Sequence, residues 1–223
     1  MTGLQVYVDR LSQPSRAVLI FLRVNNISHT EIPVALRRGE QKTPEFTKLN
    51  PMQKVPVIVE NGFVLTESDA ILKYLATKEG IPDHWYPCEP QHRAKVDEYT
   101  AWHHTNTRIH AAKVFIHEVL LPRMTGQPTD QKKLASLIAS LDGTLDKLET
   151  MFLKDQAFLC GHDITLADLL AICELTQLLA SGHDALKNRP KLLAWQNRVK
   201  SALGDEFDEV NNILYRLRDK AKL

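Results

Sequence analysis

Strand-type patterning is confined to the first eighty residues, and this confinement constrains the fold more than any other feature of the sequence. Leu4, Val6 and Val8 alternate with more polar residues, which predicts a strand over Leu4–Asp9. From about His92 onward the apolar residues recur at helical spacing, and this pattern predicts helices only. The sequence therefore predicts an α/β first part followed by an all-α second part.

The first strand is followed by a helix and then by a second extended segment. Ser12 supplies a capping hydroxyl and Pro14 suits the first helical turn, so a helix is predicted from there to Asn25. His29–Ala35 is extended. Because its Pro33 lacks the N–H that a central strand would donate, this segment is predicted to be an edge strand.

A hairpin and a second helix complete this part of the chain. Asn61 and Gly62 separate two apolar runs, Val55–Glu60 and Phe63–Thr66, and this dipeptide is typical of a two-residue hairpin turn. Ser68 follows as the predicted cap of the next helix. The element order is then β-α-β, a long connection, and β-β-α.

Beyond a proline-containing linker, the pattern predicts five helices. The first is a long helix that includes Val96 and stops at Pro122, and the others span Leu134–Phe152, Thr165–Leu179, Pro190–Leu203 and Glu206–Leu217. The predicted organisation is a first domain over 1–80, a linker over 81–91 and an all-helical domain over 92–223. Thr165 and Asp168 have the spacing of a helix-capping motif.

Charge and composition argue against several classes of partner. The chain has 28 Lys and Arg against 27 Asp and Glu, and this balance disfavours a nucleic-acid or polybasic membrane protein. No apolar run approaches the roughly 20 residues that span a bilayer. Cys88, Cys160 and Cys173 form no C-x-x-C pair, which fits a reducing compartment.

Three histidines, His103, His110 and His117, recur at a spacing of seven residues. Seven residues of helix rise about 10.5 Å, which is too far for one metal ion to bridge neighbours. No metal site is therefore predicted. We interpret the three side chains as amphipathic residues on a partly wet helix face.

Ser12 is the residue with the clearest chemical potential. It lies where a strand ends and a helix begins, and a helix N-terminus carries unpaired N–H groups and partial positive charge. An anion at this position is stabilised, and a thiolate is an anion. Ser12 is therefore either a plain helix cap or a hydroxyl that donates to a bound thiolate.

Several motifs, in order along nearly the whole chain, resemble those of the soluble glutathione S-transferases. They are Asp9–Arg16, Lys54–Val57, Thr66–Ile71, Asp83–Pro87, Trp102–Asn106 and Phe158–Asp168. The chain is most similar to the theta class, and two of these motifs, Asp9–Arg16 and Trp102–Asn106, resemble its plant-type branch. The resemblance implies a thioredoxin-like N-terminal domain and an all-helical C-terminal domain.

The resemblance also implies a binding site for reduced glutathione. The implied glutathione-binding residues are Ser12, Gln13, Gln41, Lys42, Lys54, Val55, Glu67 and Ser68. Ser12 would be the catalytic residue, because it would donate to the glutathione sulfur and lower the thiol pKa without attacking the substrate itself. Val55 would pair with the cysteinyl unit through its main chain, beside a cis Val55–Pro56 bond.

The other implied contacts hold the two ends of glutathione. Glu67 suits the ammonium of the γ-glutamyl end and Ser68 suits its carboxylate. Gln41 and Lys42 match the pair that takes the glycine carboxylate. Gln41 departs from the histidine found in many theta enzymes, but an amide can still donate.

The electrophile would bind against the helical domain. The implied wall residues are Leu11, His104, Arg108 and Phe115. Arg16 and Arg108 would add positive potential near the sulfur.

The implied activity is conjugation of reduced glutathione to small hydrophobic electrophiles, with glutathione as co-substrate and no other cofactor. The same thiolate could reduce organic hydroperoxides. The alternatives are a non-catalytic carrier of apolar ligands on the same fold and a catalytically silent member of the family. The family implies a homodimer across the first-domain helix and the first helices of the second domain, and neither a nucleic-acid nor a membrane partner is predicted.

The predicted location is the cytoplasm, because Met1–Leu4 lacks the basic-then-apolar layout of a secretory signal. The peroxisome is the alternative. Ala221, Lys222 and Leu223 form a variant of the Ser-Lys-Leu peroxisomal address.

Overall fold

Four strands form one mixed sheet in the computed structural model, which describes residues 3–181 and 184–221. The strands are β1 (Leu4–Val8), β2 (His29–Pro33), β3 (Val57–Glu60) and β4 (Phe63–Thr66), in the spatial order β2-β1-β3-β4. β1 is parallel to β2 and antiparallel to β3, and β3 is antiparallel to β4. The predicted element order is confirmed, and β2 lies at an edge as Pro33 requires.

Helices pack on both faces of this sheet. The side chains of Leu4, Val6 and Val8 point to one buried face, while α1 (Gln13–Val24) packs against α3 (Ser68–Ala76) and α3 contacts β3 and β4. The other face carries Tyr7, whose ring lies 6.3 Å from that of Phe46 in α2 (Pro44–Leu49). The sheet is therefore a layer between two apolar clusters.

The connection between β2 and β3 contains structure that the sequence pattern does not predict. Two short 3-10 turns, Leu36–Arg38 and Glu40–Lys42, precede α2. Thr43 caps α2 by accepting the Phe46 N–H, and a proline occupies the first turn of this helix. The connection is thus ordered by local capping and by packing of one aromatic side chain.

Seven further helices form the rest of the described chain. They are α4 (Pro90–Thr105), α5 (Thr107–Phe115), α6 (Leu121–Thr125), α7 (Gln131–Lys147), α8 (Leu166–Thr176), α9 (Pro190–Leu203) and α10 (Asp205–Ala221). The predicted all-α second part is confirmed. None of the helices within residues 3–181 and 184–221 combines the length and apolar character that a bilayer crossing requires.

The predicted single helix that ends at Pro122 is wrong. The chain breaks at Asn106, between α4 and α5, and then continues through a π-helical segment, Ile116–Leu120, into α6. Pro122 lies in the first turn of α6 and does not stop the helical path of the chain. Gly126, with a φ of 70°, ends the helix instead.

The described chain divides into two compact units. The first contains the residues up to Pro82 together with Leu203–Asn211, and the second contains Asp83–Ala202 and the residues from Asn212 onward. In the first unit, Arg23 of α1 forms ion pairs with Glu206 and Glu209. The sequence-based boundaries at 80 and 92 stay predictions.

The predicted capping motif at the start of α8 is confirmed. Thr165 accepts the Ala167 N–H through its hydroxyl, and the Asp168 carboxylate accepts the Thr165 N–H at 3.0 Å. Asp168 also accepts from the Leu159 amide and from the Trp195 indole, each at 2.8 Å. A motif that is local in sequence thus ties three segments of the second unit together.

The interpretation of the histidines is wrong for one of the three. His103 is buried, with 1% of its surface exposed, whereas His110 and His117 are half-buried. The heptad spacing does not define one face because the helix is interrupted at Asn106. Among the described residues, no group of three His, Cys, Asp or Glu side chains could hold a metal ion.

Candidate active site

At one end of the sheet, four segments of the first unit emerge side by side. Tyr7, near the end of β1, pairs with Val57, the first residue of β3, and Val57 pairs with Thr66, the last residue of β4. Val8 pairs with Pro33, the last residue of β2. The segments that follow β1, β2 and β4, and the one that precedes β3, therefore share this end, where open α/β sheets commonly bind ligands.

Ser12 is the N-cap of α1 at this sheet end and is half-buried. Its hydroxyl oxygen lies 3.5 Å from the Ser15 nitrogen, which is long for a capping bond, and its carbonyl accepts the Arg16 N–H at 3.0 Å. A hydroxyl that accepts from the helix can still donate its own hydrogen to an anion. The position combines this donor with the positive end of a 12-residue helix.

Arg16 lies one turn further along α1 and is fully buried. Its Nη1 donates to the carbonyls of Arg10 and Leu11, at 3.0 and 3.2 Å. The guanidinium therefore holds the segment that leads into Ser12. Its predicted contribution to positive potential near a bound sulfur stays a prediction.

Val55 lies at the same end, two residues before β3 begins. The Val55–Pro56 peptide bond is cis, as predicted. The preceding turn is held by Asn50, which donates to the Lys54 carbonyl at 2.7 Å and accepts the Met52 N–H at 3.0 Å. Asn50 is buried and is absent from the sequence-based site.

Glu67 and Ser68 join the end of β4 to the start of α3. The prediction that Ser68 caps α3 is wrong. Ser68 is the first helical residue of α3, and Glu67 occupies the N-cap position. Glu67 has a φ of 65° and a ψ of 114°, a backbone conformation that is costly outside glycine. This turn leaves Glu67 exposed and Ser68 buried beside the α3 N-terminus.

Gln41 and Lys42 lie in the second 3-10 turn after β2, with Gln41 half-buried and Lys42 exposed. Within this turn, the Glu40 carboxylate accepts the Ala35 N–H at 2.6 Å. The remaining two predicted binding residues, Gln13 and Lys54, lie at the first position of α1 and just before Val55. All eight predicted glutathione-binding residues are thus in segments that border one end of the sheet.

The residues predicted to contact the electrophile are divided between the two units. Leu11 is half-buried in the first unit, and in the second His104 and Arg108 are half-buried and Phe115 is buried. Arg108 forms an ion pair with the buried Glu174, at 2.5 Å, which offsets its charge. A wall shared by these four residues stays a prediction.

Two models of protein families match this chain. Residues 3–77 match the glutathione S-transferase N-terminal domain, and residues 112–202 match the glutathione S-transferase C-terminal domain. The chain therefore belongs to the glutathione S-transferase family.

Individual relatives define the class. The chain is 45% identical to glutathione S-transferase theta-1 of Bos taurus, over 97% of this chain and 91% of that protein. It superposes on human glutathione S-transferase T1-1 in its apo form with a TM-score of 0.94, at 44% identity over 97% of this chain and 91% of that one. A human theta-class glutathione transferase in complex with the glutathione conjugate of 1-menaphthyl sulfate gives a TM-score of 0.93, at 40% identity over 99% and 91%.

These relatives place the chain in the theta class. The narrower resemblance to a plant-type branch is not supported by them.

Proposed function

We propose that this chain is a theta-class glutathione transferase that conjugates reduced glutathione to small hydrophobic electrophiles. One observation carries the proposal: the Ser12 hydroxyl at the start of α1, the Val55 main chain and the Glu67–Ser68 turn all border one end of the sheet. The human theta-class relative bound to a glutathione conjugate has this fold and supports the assignment.

In this mechanism the protein keeps the glutathione sulfur ionised at neutral pH. Ser12 donates a hydrogen bond to the sulfur, and the α1 N-terminus adds the field of its N–H groups. Each unit by which the thiol pKa falls corresponds to about 1.4 kcal/mol in favour of the thiolate. The thiolate then attacks the electrophilic carbon, so that a carbon–sulfur bond forms while the leaving group departs with its electron pair.

The remaining residues orient the tripeptide. The main chain of Val55 pairs with the cysteinyl unit, and Glu67 and Ser68 hold the charged γ-glutamyl end. Gln41 and Lys42 hold the glycine carboxylate. The half-buried amide of Gln41 and the exposed ammonium of Lys42 suit an anion that approaches from solvent.

Replacing Ser12 by alanine is expected to lower kcat/KM on the order of 100-fold or more, the usual effect of removing one preorganised donor. The pH profile of kcat/KM should also shift upward, because the bound thiol loses its hydrogen-bond donor. Initial rates from pH 5 to pH 9 with glutathione and an alkyl halide measure both effects.

Two variants control this experiment. Ser12→Thr keeps a hydroxyl and should recover much of the rate. Ser28→Ala removes an exposed serine before β2, at the opposite end of the sheet, and should leave the rate unchanged. Unchanged turnover in Ser12→Ala would remove Ser12 from the mechanism, and retention on immobilised glutathione with no turnover of any electrophile would favour the carrier alternative.

We also propose that the same thiolate reduces organic hydroperoxides. Two glutathione molecules would be oxidised to one disulfide while the hydroperoxide is reduced to an alcohol and water. Because both reactions start from the thiolate, Ser12→Ala should lower the two rates in parallel. Paired initial rates with an alkyl halide and with cumene hydroperoxide test this, and a hydroperoxide rate that does not depend on Ser12 would contradict it.

We infer that the chain forms a homodimer whose interface includes the edge strand β4 in addition to the helices that the family resemblance implies. The side chains of Phe63 and Val64 on this strand are 49% and 41% exposed, and exposed apolar residues on an edge strand favour pairing with another chain. Light scattering at micromolar concentration is expected to give twice the chain mass of 25.3 kDa. Phe63→Ser should shift the mass toward one chain, and a single-chain mass for the unmodified protein would contradict the inference.

The cytoplasm is the location proposed for this chain, with the peroxisome as the alternative. Of the C-terminal tripeptide that motivates the alternative, Lys222 and Leu223 lie outside the described residues. A fluorescent fusion to the N-terminus, with and without the last three residues, separates the two. Peroxisomal signal that depends on those residues would favour the alternative.

A further inference from the structure

Asp9 is the first residue after β1 and precedes the proposed catalytic serine by three positions. Its carboxylate oxygen Oδ1 accepts the Leu11 N–H at 2.8 Å, and its main-chain carbonyl accepts the Ser12 N–H at 2.8 Å. Asp9 therefore shapes the turn that presents Ser12.

The second oxygen of the same carboxylate binds a different part of the chain. Oδ2 accepts the Leu36 N–H at 3.0 Å, across 27 residues of sequence. Leu36 begins the first of two successive 3-10 turns, and the second turn carries Gln41 and Lys42. The neighbouring amides are also occupied, since Val34 donates to the Val8 carbonyl and Ala35 donates to Glu40.

We propose that Asp9 is a positioning residue that couples the Ser12 turn to the segment carrying Gln41 and Lys42, so that the sulfur and the glycine carboxylate of glutathione are held in register. The inference rests on the proposed function and deepens it. Asp9 does not contact substrate in this scheme. It acts through two main-chain amides, one in the turn that leads to Ser12 and one in the segment that leads to Gln41 and Lys42.

The chemistry of the residue matches the task. Only an ionised carboxylate offers two acceptor oxygens at this size, and hydrogen bonds to a charged acceptor are the strong ones. Asparagine keeps the shape and one acceptor but directs an NH2 group at the other amide. Small displacements of a reacting group are costly for catalysis, because a misplacement of about 1 Å can reduce a rate on the order of 100-fold.

A positioning role and an electrostatic role of Asp9 predict opposite changes in the pKa of the bound glutathione thiol. A carboxylate near the bound thiol disfavours the thiolate, so neutralising Asp9 would lower the thiol pKa if charge alone mattered. If Asp9 positions the Ser12 turn, its neutralisation weakens the hydrogen bond from Ser12 and the thiol pKa rises. The direction of this change separates the two roles.

The experiment compares Asp9→Asn, Ser12→Ala and the unmodified protein with two probes. S-methylglutathione has no thiol, and its affinity, measured by calorimetry, reports on the rest of the tripeptide site. Ultraviolet absorbance of bound glutathione, followed against pH, gives the pKa of its thiol. Asp9→Asn is expected to weaken S-methylglutathione binding between about 10-fold and 100-fold, the range of one lost hydrogen bond to a charged group, and to raise the thiol pKa.

Ser12→Ala should raise the thiol pKa and weaken S-methylglutathione binding much less than Asp9→Asn does, because a thioether sulfur is only a weak acceptor. Glu60→Gln is the matched control for loss of a half-buried carboxylate. Glu60 binds Lys78 and Tyr74, and it pairs with Leu4 at the opposite end of the sheet, so neither readout should move. Thermal unfolding of each variant checks that the chain is folded at the assay temperature.

The outcomes are distinct. A thiol pKa that falls in Asp9→Asn, an unchanged S-methylglutathione affinity, or a loss of thermal stability with neither readout moved would overturn the positioning role while leaving Ser12 in place. A Ser12→Ala variant with an unchanged thiol pKa would overturn the proposed mechanism, and the inference about Asp9 with it.

Discussion

Replacing Asp168 by alanine is expected to lower the free energy of unfolding by about 4 kcal/mol. The carboxylate is fully buried and accepts hydrogen bonds from the Leu159 amide, the Trp195 indole, and both the amide and the hydroxyl of Thr165. Each buried donor left without an acceptor costs about 1–3 kcal/mol, and relaxation recovers part of that sum. The loss should fall on the second unit, to which all of these residues belong.

Urea unfolding followed by tryptophan fluorescence measures this change. Trp195→Phe removes a single donor and is expected to lose less stability than Asp168→Ala. Asp155→Ala is the control for loss of an aspartate, because Asp155 is 94% exposed in its ion pair with Lys191 and should change stability by less than about 0.5 kcal/mol. If Asp168→Ala were no less stable than Asp155→Ala, the buried network would not support the second unit.

The Asp168 motif is an example of a structural feature that can be predicted from local sequence. Thr165 and Asp168 are three residues apart, and the Asn61–Gly62 turn and Pro33 are likewise local signals, so each was predictable without knowledge of the tertiary structure. Fold class and element order follow from such signals.

Elements that depend on contacts between distant residues were missed or misjudged. α2 has only six residues, too few to be stable alone, and it is held by packing of Phe46 against Tyr7. The sequence pattern predicts a helix end at Pro122, yet a proline is equally compatible with a first helical turn. Whether the helix stops or restarts there depends on packing that the local pattern does not contain.

The candidate site likewise combines residues that local motifs identify with residues whose roles depend on distant contacts. Ser12, Val55 and Glu67 are identified from motifs that resemble a family, and the sheet register accounts for their common location. The sequence analysis does not identify Asp9 and Asn50 as site residues, because both act through hydrogen bonds to main-chain groups. Asparagine and aspartate are residue types that favour turns. No sequence pattern, however, indicates that Asp9 accepts a hydrogen bond from the Leu36 amide, 27 residues away.

Acid is expected to destabilise the protein through His103, well above the pH at which carboxylates become protonated. Burial lowers the pKa of this histidine from 6.5 to about 3, with smaller contributions from His104 and Arg108. Its Nδ1 lies 3.2 Å from the Tyr99 hydroxyl, which itself lies 3.4 Å from the Thr107 hydroxyl. The folded protein therefore keeps His103 neutral inside a small polar cluster.

The sign of the effect follows from proton uptake. Below pH 6.5 the unfolded chain binds a proton at this position and the folded chain does not, so stability is complete above pH 6.5 and is lost as the pH falls toward 3. Because half of the unfolded chains are already protonated at pH 6.5, the fall from pH 6.5 to pH 4.5 corresponds to a loss of about 2 kcal/mol. His110, whose pKa is also lowered by burial, acts in the same direction, whereas the raised pKa of Asp168 opposes it.

Carboxylates with a lowered pKa affect a lower pH range. Hydrogen bonds and charges lower the pKa of Glu31 beside Arg10 and of Glu60 beside Lys78, so their contributions are lost only as the pH falls below 4.5. The interval from pH 6.5 to pH 4.5 therefore isolates the buried histidine from these acids.

His103→Asn removes the titration and keeps a polar group that can reach the Tyr99 hydroxyl. Its free energy of unfolding is expected to fall less than that of the unmodified protein between pH 6.5 and pH 4.5, by about 2 kcal/mol. Comparing slopes cancels any constant loss from the cavity that asparagine leaves. His92→Asn, at a side chain that is 73% exposed, should follow the unmodified protein. An equally steep loss in His103→Asn would mean that the acid-sensitive group lies elsewhere in the chain.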